Sequence, residues 1–570
     1  MPESSEDTCD LIVVGSGAAG FSAAITGANA GLRVVMVEKA AVFGGTTAFS
    51  GGFMWIPDSS LAKASGVRDS RDDALTYIHA LAGKYHDAGV AEAFLDAAPE
   101  MLDAMLGAGL KVRHEAFVGD FVSELPGARR GRSISPLPVN ASILGPAARD
   151  LRPPLPETTF LGIRIASGDD MNAFLNVTRS FAAARHVAKR MIAHAWDLLR
   201  HGRTTECVNG HALIAQLAAI AFAKGVTLRL GTAARRLVTG PDGVAGVEVE
   251  SGDRVSVLRA RKGVVLAGGG FSHDLARRAA HYPHPAGADR HFPLPPETNT
   301  GDSARMAEAL GGEVASNANP GSWMPVTQVR ARDGSLRPFM HSFSAARGGF
   351  IMVTPEGRRF VNESLAWHQI GEALVNARGP QLPAEAFLIG NHRAVRRWGL
   401  GFAKPFPVPL WPYIRSGHVI AGRTIAELAR KAGIDAAELA RTVERFNGYA
   451  ASGEDPEFAR GASKFSRALG DPAIKPNPTL APLTDGPFYA VKVLPGDIGT
   501  MAGLRADGQA RVLDRAGKPI PRLYVAGNDM RAVFGGGYPG GGGTIGPAMT
   551  FGFIAARDAA KLPDASDAQA

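Results

Sequence analysis

Residues 10–38 of the chain read DLIVVGSGAAGFSAAITGANAGLRVVMVE. The segment begins with a short apolar run rich in β-branched residues, which is typical of a buried parallel strand. Gly15, Gly17 and Gly20 follow this run and lead into an alanine-rich stretch with a helical pattern, and a second apolar run then ends at Glu38. A strand, a glycine turn, a helix, a strand and an acid in this order predict a βαβ unit that binds a dinucleotide.

Each of these residues has a physical task in such a unit. Gly15 makes the tight turn, Gly17 lets the backbone approach a pyrophosphate, and Gly20 lets the helix pack closely on the strand. The free N–H groups at the start of the helix, near Ala18, and the positive end of its dipole attract phosphates. Glu38 stands where a carboxylate accepts hydrogen bonds from ribose hydroxyls.

A second glycine-rich loop follows soon after the acid. Residues 43–52 read FGGTTAFSGG and add backbone N–H groups and hydroxyl donors. Such donors suit the flavin end of a dinucleotide that is longer than NAD. The loop therefore favours FAD over NAD as the cofactor.

The end of the chain carries another glycine-rich motif. Residues 523–529, LYVAGND, predict a buried strand, and residues 535–548 read GGGYPGGGGTIGPA ahead of a predicted helix at 549–559. So many glycines allow a flat ring to approach the backbone closely. A helix that starts near Thr544 points its positive end at the flavin pyrimidine and stabilises negative charge on reduced flavin. We therefore expect the two ends of the chain to form opposite walls of the flavin site.

The whole pattern predicts an α/β fold: a Rossmann-like FAD-binding domain, made of a parallel sheet plus a β-meander, with an inserted α+β catalytic or capping domain. We expect the first part of the FAD-binding domain at 1–290, the capping domain at 291–485, and the second part of the FAD-binding domain at 486–570. A lid or insertion is expected at 127–205 within the first part. In such a split fold the active site lies at the domain interface, where pockets commonly form.

The segments at 494–552 point to a family. They read LPGDIGTMAGLRAD, LYVAGN and YPGGGGTIGPAMTFG, and together with the N-terminal motif they resemble the 3-ketosteroid Δ1-dehydrogenases. These enzymes form a branch of the FAD-dependent superfamily that also contains the soluble fumarate reductases. The resemblance covers both FAD walls and is weaker at 127–202 and in the capping domain. It implies removal of two hydrogens from adjacent carbons beside a ring ketone, with the Cα proton taken by a base and the Cβ hydride passed to flavin N5.

The same resemblance assigns a ketone-binding pair. The Tyr538 hydroxyl and the Gly542 backbone N–H are implied to grip the ketone oxygen, which stabilises the enolate as it forms. The family spacing Tyr-Pro-x-x-Gly is kept here. The alternative is a tyrosine that only packs beside glycines, because a buried tyrosine needs some partner for its hydroxyl.

Two proton-handling tyrosines of the family are replaced in this chain. Trp367 stands where the family's general base is expected, and Phe121 stands in the segment of the assisting tyrosine and is assigned to the substrate pocket. His368 is the candidate base, because histidine titrates near neutral pH. Tyr413 is a second candidate.

The motifs and the resemblance together assign a set of residues to FAD. They lie in the βαβ unit and its following loop, in the middle of the chain, and in the C-terminal motif. The predicted FAD-binding residues are Gly15, Gly17, Ala18, Ala19, Gly20, Glu38, Lys39, Gly45, Thr46, Thr47, Ser50, Gly51, Gly52, Ala234, Ala267, Gly268, Gly527, Asn528, Gly543, Thr544 and Ile545.

Charge and cysteine content exclude several classes of site. The 570 residues carry a formal net charge of +8, which permits attraction to nucleic acid, to an anionic membrane or to an acidic cofactor. The sequence has no zinc-finger or aromatic RNA-binding motif, so we expect no nucleic-acid partner and interpret the basic residues as a solvated surface. The two cysteines, Cys9 and Cys207, are too few for a disulfide framework or a cysteine-rich metal site, and we expect no metal.

The location of the protein follows from its apolar segments. Residues 1–10 are polar and acidic, and no apolar run is long enough to cross a bilayer, so we expect a cytoplasmic protein. Residues 169–203 predict one or two helices with a basic side and an apolar face. We interpret them as a lid or packing helix, and the alternative is peripheral contact with a membrane that holds a lipophilic substrate.

Three other functions stay open. A fumarate-type reductase needs cations that hold two carboxylates, but Ile498 and Gly499 stand where its histidines are expected, so the pocket suits a small apolar ketone better. The same dehydrogenation of a smaller ketone such as cyclohexanone, or of another steroid ring position, is the main alternative. The third is a non-catalytic flavin protein that acts as a sensor or electron carrier. For the enzyme we expect an artificial or quinone-like electron acceptor.

Overall fold

A parallel layer at the centre of the molecule combines strands from both ends of the chain. The computed structural model describes residues 8–331 and 333–565. In spatial order the parallel strands are Thr227–Arg229, Val34–Val37, Thr8–Val14, Arg254–Leu266 and Pro519–Val525. The strand order places the turn after Thr8–Val14 in the middle of the sheet, where a dinucleotide fold binds its cofactor.

An antiparallel meander extends the same sheet. Arg254–Leu266 pairs with Gly243–Ser251, which pairs with Thr232–Gly240. The short strand Arg511–Leu513 pairs with Pro519–Val525 on the other side. The predicted parallel sheet with a β-meander is therefore confirmed, and so is the α/β fold class.

Helices from the two ends of the chain cover this sheet. Ala18–Asn29 is buried over its first ten residues and packs against Ile545–Lys561. The Ser22 hydroxyl donates to the Met549 carbonyl at 2.6 Å, which ties the first helix of the chain to the last. A helix that is apolar all round is stable only when it is enclosed in this way.

The second domain has a sheet of antiparallel strands. The spatial order is Leu336–Met340, Gly321–Arg330, Phe488–Thr500, Ala386–Asn391 and Phe350–Val353, with Ile420–Gly422 also paired to Phe488–Thr500. Helices on its faces include Ala436–Ser452 and Trp367–Asn376, which makes it the expected α+β unit.

The chain segment that forms this sheet differs from the segment 291–485, which the sequence analysis predicts as the capping domain. The strand Phe488–Thr500 pairs with Gly321–Arg330, so the described part of the sheet runs from 321 to 500. Residues just before it lie on the first domain, since Val314–Ala315 pairs with Gly503–Leu504. An apolar strand at 488–500 is compatible with either sheet, and only tertiary pairing assigns it to the second.

The predicted insertion at 127–205 also begins later in the structure. Ser133–Pro136 is the middle strand of a small sheet with Met54–Trp55 and Val112–His114, so it belongs to the FAD-binding domain. Two helices then follow, as predicted. They are joined by Asp170, whose carboxylate binds His186 and Arg190, each at 2.6 Å.

The second of these helices, Phe181–His201, leaves its apolar face largely uncovered. Phe181, Ile192 and Trp196 are exposed, and within the helix only Ala183 and His194 are buried. Contact of this face with a membrane stays a prediction. No helix in 8–331 or 333–565 is long and apolar enough to cross a bilayer.

The other elements connect the two domains and the lid. The helices are Ser60–Ala64, Arg71–Ala82, Ala88–Gly107, Asp169–Leu175, Asn209–Ala223, Leu275–His281, Asp302–Glu308, His392–Trp398, Trp411–Arg415, Ile425–Ala432 and Lys464–Leu469. Short strands are Val139–Asn140 with Glu206–Cys207, and Thr159–Phe160 with Ile163–Arg164. Cys9 and Cys207 are both buried free thiols.

Candidate active site

The first glycine turn has the close packing that a dinucleotide site needs. Gly15 has φ +107°, and a Cβ there would lie 2.2 Å from the Ala267 carbonyl oxygen. A Cβ on Gly20 would lie 2.1 Å from the Gly15 carbonyl oxygen. Side chains are therefore excluded at both positions, and the helix starts directly against the strand end.

The start of the first helix has unused donors. Gly17 is its N-cap and provides no side chain to cap it, and the Thr47 hydroxyl accepts from the Ala18 N–H at 3.2 Å. Within the described residues, the N–H groups of Ala19 and Gly20 have no protein acceptor. Free amides at a positive helix end fit a pyrophosphate.

Glu38 is buried at the end of the second strand. Its Oε2 accepts from the Ser16 N–H at 3.2 Å and the Ser16 hydroxyl at 2.6 Å, and its Oε1 accepts from the Ala40 N–H at 2.9 Å. These bonds orient the carboxylate, and Oε1 keeps a lone pair for a ribose hydroxyl.

Lys39 is held by the middle of the chain. Its ammonium donates to Asp302 at 2.5 Å and to the Thr300 hydroxyl at 2.7 Å. The predicted cofactor residue Lys39 is thus tied to the segment around Asp302 in this structure. Ala234 is buried on the neighbouring strand, two residues after Thr232, whose N–H donates to the Glu38 carbonyl.

The second glycine-rich loop is clamped from one side. Gly45 has φ +51° and starts the 3₁₀ helix Thr46–Phe49. The Ser50 hydroxyl donates to the Thr47 carbonyl at 2.7 Å and accepts from the Gly52 N–H at 3.0 Å. The Gly210 N–H donates to the Ser50 carbonyl at 3.0 Å, so the loop through Gly51 is fixed against the helix Asn209–Ala223. Its other side is left for the cofactor.

Asp529 and Asn299, which the sequence analysis did not assign, bind the glycine-rich segment that follows the strand Arg254–Leu266. Asp529 accepts from the N–H groups of Gly268 and Gly270, next to Ala267, and burial raises the pKa of its carboxyl. Asn299 donates to the Gly269 carbonyl at 2.9 Å and to the Thr46 hydroxyl at 3.3 Å. The position of Asp529, directly after the LYVAGN segment, could have indicated that its carboxylate binds nearby backbone N–H groups.

The C-terminal wall lines a small cavity of about 30 Å³. The helix Ile545–Lys561 begins at this cavity with Thr544 as its N-cap, so the positive end of the helix faces it. The lining residues are Thr500, Met501, Gly527, Asn528, Met530, Arg531, Ala532, Val533, Phe534, Gly543, Thr544, Pro547, Ala548 and Phe551. Predicted FAD residues from this motif therefore share one cavity, and the combination of walls fits FAD.

Tyr538 is held above this region by its own loop. The carbonyl of the next residue, Pro539, accepts from the Tyr77 hydroxyl at 2.8 Å and from the Phe121 N–H at 2.9 Å. Gly542 has φ +98°, and a Cβ there would lie 2.5 Å from the backbone of Met54. The loop therefore requires glycine at 542, and within the described residues no protein acceptor takes the Gly542 N–H.

The Tyr538 ring belongs to a packed aromatic cluster, which we take as the candidate substrate region. Phe121 stacks on it at 5.8 Å, and Trp367 meets it edge-on at 5.3 Å. Phe343 and Phe465 complete the cluster against Phe121, at 6.4 and 5.2 Å. Tyr538 is 7% exposed, and burial raises the pKa of its phenol to about 12, partly offset by a hydrogen bond with Thr544. The hydroxyl is therefore a protonated donor at every working pH.

A buried ionic network supports the pocket from behind. Asp120, next to Phe121, accepts from the Trp55 indole and the Arg132 guanidinium, both at 2.8 Å, and Arg132 also binds Asp69 at 2.7 Å. Burial raises the pKa of Asp120 to about 6, although Arg132 lowers it. Breaking such a buried pair leaves an uncompensated charge, so this network fixes the position of Phe121.

The ring of the predicted base His368 lies 6.0 Å from the Tyr538 ring, but both of its nitrogens bind backbone groups. Its Nδ1 accepts from the Trp323 N–H at 3.2 Å, and its Nε2 lies 3.0 Å from the Gly536 carbonyl, to which it donates. Burial lowers the pKa of this imidazole to about 4, against the opposing effect of the Gly536 bond. Because both nitrogens are engaged with backbone groups, this geometry gives no support to His368 as the base, and the identity of the base stays a prediction.

The second candidate base lies elsewhere. Tyr413 packs against Phe402 and His418 at 5.8 and 6.4 Å, in another hydrophobic cluster of the second domain. Trp367 does lie in the pocket, at the start of the helix Trp367–Asn376. Among the described residues, no group of three or more histidine, cysteine or acidic side chains could hold a metal ion.

A motif that precedes Trp367 explains why it is held there. Arg359 binds Glu363 through two hydrogen bonds of 2.9 and 2.8 Å and binds Asp455 at 2.8 Å, and Arg460 binds Glu363 at 3.0 Å. Burial raises the pKa of Glu363, but the two arginines outweigh it and the value falls to about 2. The motif RRFVNE is therefore an internal ionic anchor for the segment that leads to the pocket.

Comparison with known proteins agrees with this geometry. The model of a family described as FAD binding domain matches residues 10–545. A protein of Sinomonas cyclohexanicum named 4-oxocyclohex-2-ene-1-carboxylate 5-dehydrogenase is 38% identical, over 98% of this chain and 95% of its own length. A protein of Mycolicibacterium smegmatis named 3-oxosteroid 1-dehydrogenase is 36% identical, over 98% of both chains.

A solved structure extends the comparison to three dimensions. It is the crystal structure of 3-ketosteroid Δ1-dehydrogenase from Sterolibacterium denitrificans in complex with 1,4-androstadiene-3,17-dione. It superimposes with a TM-score of 0.89 at 33% identity, over 97% of this chain and 99% of that one. The chain therefore belongs to the FAD binding domain family, in its 3-ketosteroid Δ1-dehydrogenase-like branch, and it is an FAD-dependent oxidoreductase that acts on CH–CH bonds.

Proposed function

We propose that the enzyme introduces a double bond between the α and β carbons of a cyclic ketone. The observation that carries this proposal is the Tyr538 hydroxyl, buried in an aromatic pocket and joined by a five-residue loop to the unpaired Gly542 N–H. Two fixed donors beside apolar rings suit a carbonyl oxygen on a hydrocarbon ring. The named substrates of the relatives, oxosteroids and oxocyclohexene carboxylates, are both ring ketones.

The chain's own groups act on the ketone oxygen. As the Cα proton leaves, negative charge grows on that oxygen, and Tyr538 and Gly542 stabilise it beside aromatic rings that shield it from bulk solvent. Bound FAD supplies the hydride acceptor for the Cβ hydrogen. The Gly-rich walls with Gly17, Glu38 and Thr544 are proposed to hold that cofactor, and a quinone-like acceptor is proposed to reoxidise it.

The proton has a different route from that of the resembled family. Trp367 and Phe121 carry no hydroxyl, and His368 has both nitrogens engaged. We therefore propose that water takes the Cα proton and that oxyanion stabilisation provides most of the acceleration. Because Tyr538 stays protonated up to about pH 12, it contributes as a donor and not as the base.

A 3-ketosteroid is the first candidate substrate, by similarity to the relatives named for it. A single-ring ketone is the second candidate, and a specific observation favours it. The Phe121 and Trp367 rings lie 4.8 Å apart and both contact the Tyr538 ring, so the ketone-binding hydroxyl is packed among aromatic side chains. A single ring displaces fewer of these side chains than a four-ring steroid does.

Anaerobic bleaching of the flavin distinguishes these substrates. Purified holoenzyme is mixed with a Δ4-3-ketosteroid, cyclohexanone or succinate, and the flavin absorbance is followed without an electron acceptor. We expect bleaching by at least one ketone and none by succinate. Bleaching by succinate alone would overturn the proposed function and return the chain to fumarate-type chemistry.

A further inference from the structure

The helix Phe181–His201 carries a row of large apolar side chains on its solvent side. Phe181 and Leu199 are each 84% exposed, Ile192 is 71% exposed and Trp196 is 61% exposed. At about 3.6 residues per turn, positions 181, 192 and 199 lie on one side of the helix, and Trp196 lies beside them. We call these four side chains the lid stripe. A continuous exposed apolar surface of this kind marks a site that binds a partner or a membrane.

The opposite side of the helix is already bound to the protein. The His194 imidazole donates through Nε2 to the Leu161 carbonyl at 2.9 Å, and the Asp197 carboxylate accepts from the Thr205 N–H at 2.7 Å. These contacts fix which side of the helix faces outward. A helix that only packed on the protein would bury its apolar row, so packing accounts for the inner side and not for the lid stripe.

Basic side chains flank the lid stripe. Arg185, Lys189 and Arg200 are exposed, and their spacing places them along one edge of the apolar row. The one acid of the helix, Asp197, is turned inward to Thr205. An apolar row beside cations on one face of a helix is the pattern that binds the boundary between lipid headgroups and acyl chains.

The charges distinguish a membrane from a second copy of the chain. Two copies that met at the lid stripe would bring two sets of the same three cations together, and each chain has a net charge of +8, which opposes such pairing. Anionic headgroups offer phosphates to the cations, and the acyl region below them accepts the apolar side chains. Trp196 suits this boundary because an indole has an apolar ring and a polar N–H. A lipid surface therefore satisfies both parts of this face at once.

We propose that the helix Phe181–His201 binds the surface of a membrane that contains anionic lipids. The lid stripe enters the boundary between headgroups and acyl chains, and Arg185, Lys189 and Arg200 contact the headgroup phosphates. The helix lies in the plane of the membrane and does not cross it. This inference concerns where the enzyme works and does not depend on the proposed function.

The lid that carries this helix contacts both domains. Arg164 of the lid donates to the Ala48 carbonyl, in the second glycine-rich loop, at 2.7 Å. Arg397 of the second domain donates to the Leu175 carbonyl at 2.8 Å and to the Asn176 side-chain oxygen at 2.9 Å. Membrane binding at the lid stripe therefore holds the folded enzyme itself at the lipid surface.

The test is flotation of the purified holoenzyme with lipid vesicles. Vesicles of phosphatidylcholine alone are compared with vesicles that also contain phosphatidylglycerol, at low and at high salt. The double variant Trp196→Ser with Leu199→Ser removes half of the lid stripe. Its matched control is Trp411→Ser with Leu336→Ser, which replaces a tryptophan and a leucine of the second domain that are 62% and 52% exposed.

We expect the parent to float with the anionic vesicles and to bind them less at high salt. Trp196→Ser with Leu199→Ser should lower the partition coefficient by at least about 10-fold, which is the effect of burying one leucine side chain. Replacing Arg185 or Lys189 by glutamine should lower it about 5-fold for each charge at low salt, and by less at high salt. The control variant should float as the parent does.

Three results would overturn the inference. The parent does not float with anionic vesicles, or the lid-stripe variant floats as well as its control. The third is a parent dimer, seen by light scattering, that the lid-stripe variant disperses, because a second copy then covers the stripe. A variant that loses the parent's flavin spectrum is replaced by Ile192→Ser, which is judged by the same comparison.

Flavin bleaching keeps this inference separate from the proposed function. Bleaching by a water-soluble ketone without vesicles should be the same in the lid-stripe variant and in the parent, since Trp196 and Leu199 lie outside the aromatic cluster of Tyr538. If vesicle binding fails while ketones still bleach the flavin, only the membrane inference fails. If no ketone bleaches the flavin, the proposed function fails and the vesicle result stands by itself.

Discussion

Removing the Tyr538 hydroxyl tests the ketone grip most directly. In Tyr538→Phe the ring remains, so its stacking on Phe121 at 5.8 Å and its edge contact with Trp367 at 5.3 Å are kept. What is lost is one of two donors to the developing oxyanion, and the Gly542 N–H is left alone. A single such donor in a water-excluded site contributes about 3–4 kcal/mol, which is about 10²–10³ in the rate of flavin reduction.

The assay is anaerobic stopped-flow reduction of the flavin with a saturating ketone that bleaches the parent enzyme. We expect the rate constant to fall by the factor above and Kd to change little, since the effect belongs to the charged transition state. Tyr524→Phe is the matched control, because its hydroxyl binds Asp558 at 3.0 Å on the far side of the sheet. If Tyr538→Phe reduces its flavin as fast as this control, the oxyanion reasoning is refuted.

Two buried titratable groups yield further predictions. Burial lowers the pKa of His368 to about 4. Below pH 6.5 the unfolded chain therefore binds a proton that the folded protein does not bind. The free energy of unfolding is at its full value above pH 6.5 and falls by roughly 3 kcal/mol toward pH 4. His368→Asn should weaken this pH dependence of urea unfolding, and an identical dependence in both proteins would argue against it. Glu363→Gln leaves Arg359 and Arg460 without their shared carboxylate and should cost about 3–5 kcal/mol in urea unfolding. The partly exposed Glu427, which pairs with Lys431 on a helix surface, gives the control Glu427→Gln, and equal losses in both variants would contradict the anchor.

Much of the fold was predictable because its signals are local. The glycine turn with its flanking strand and helix depends on short-range sterics: a Cβ on Gly20 meets a carbonyl only five residues earlier in the chain. The hairpin at 232–251 and the helices of the lid also follow from local pattern. The pairing of Phe488–Thr500 with Gly321–Arg330 was not predictable, since an apolar strand carries no mark of which sheet it will join.

The same distinction between local sequence signals and long-range pairing applies to the candidate site. The sequence located the FAD motifs, the pair Tyr538 and Gly542, and the replacement of the tyrosines by Trp367 and Phe121. It also suggested His368 as a base, because a histidine beside the expected position has suitable chemistry. The sequence does not reveal the hydrogen bonds of His368 to Trp323 and Gly536, since these partners are residues far away in the chain.

By itself, then, the sequence determined the family, the cofactor and the chemical type of each pocket residue. Only the tertiary structure decided how these groups are paired: that Asp529 binds the N–H groups of Gly268 and Gly270, that Lys39 is tied to Asp302, and that the Trp367 indole has no acceptor among the described residues. Residue identity sets which hydrogen bonds a side chain is able to make. Which of them it makes depends on partners brought together by the folding of distant segments.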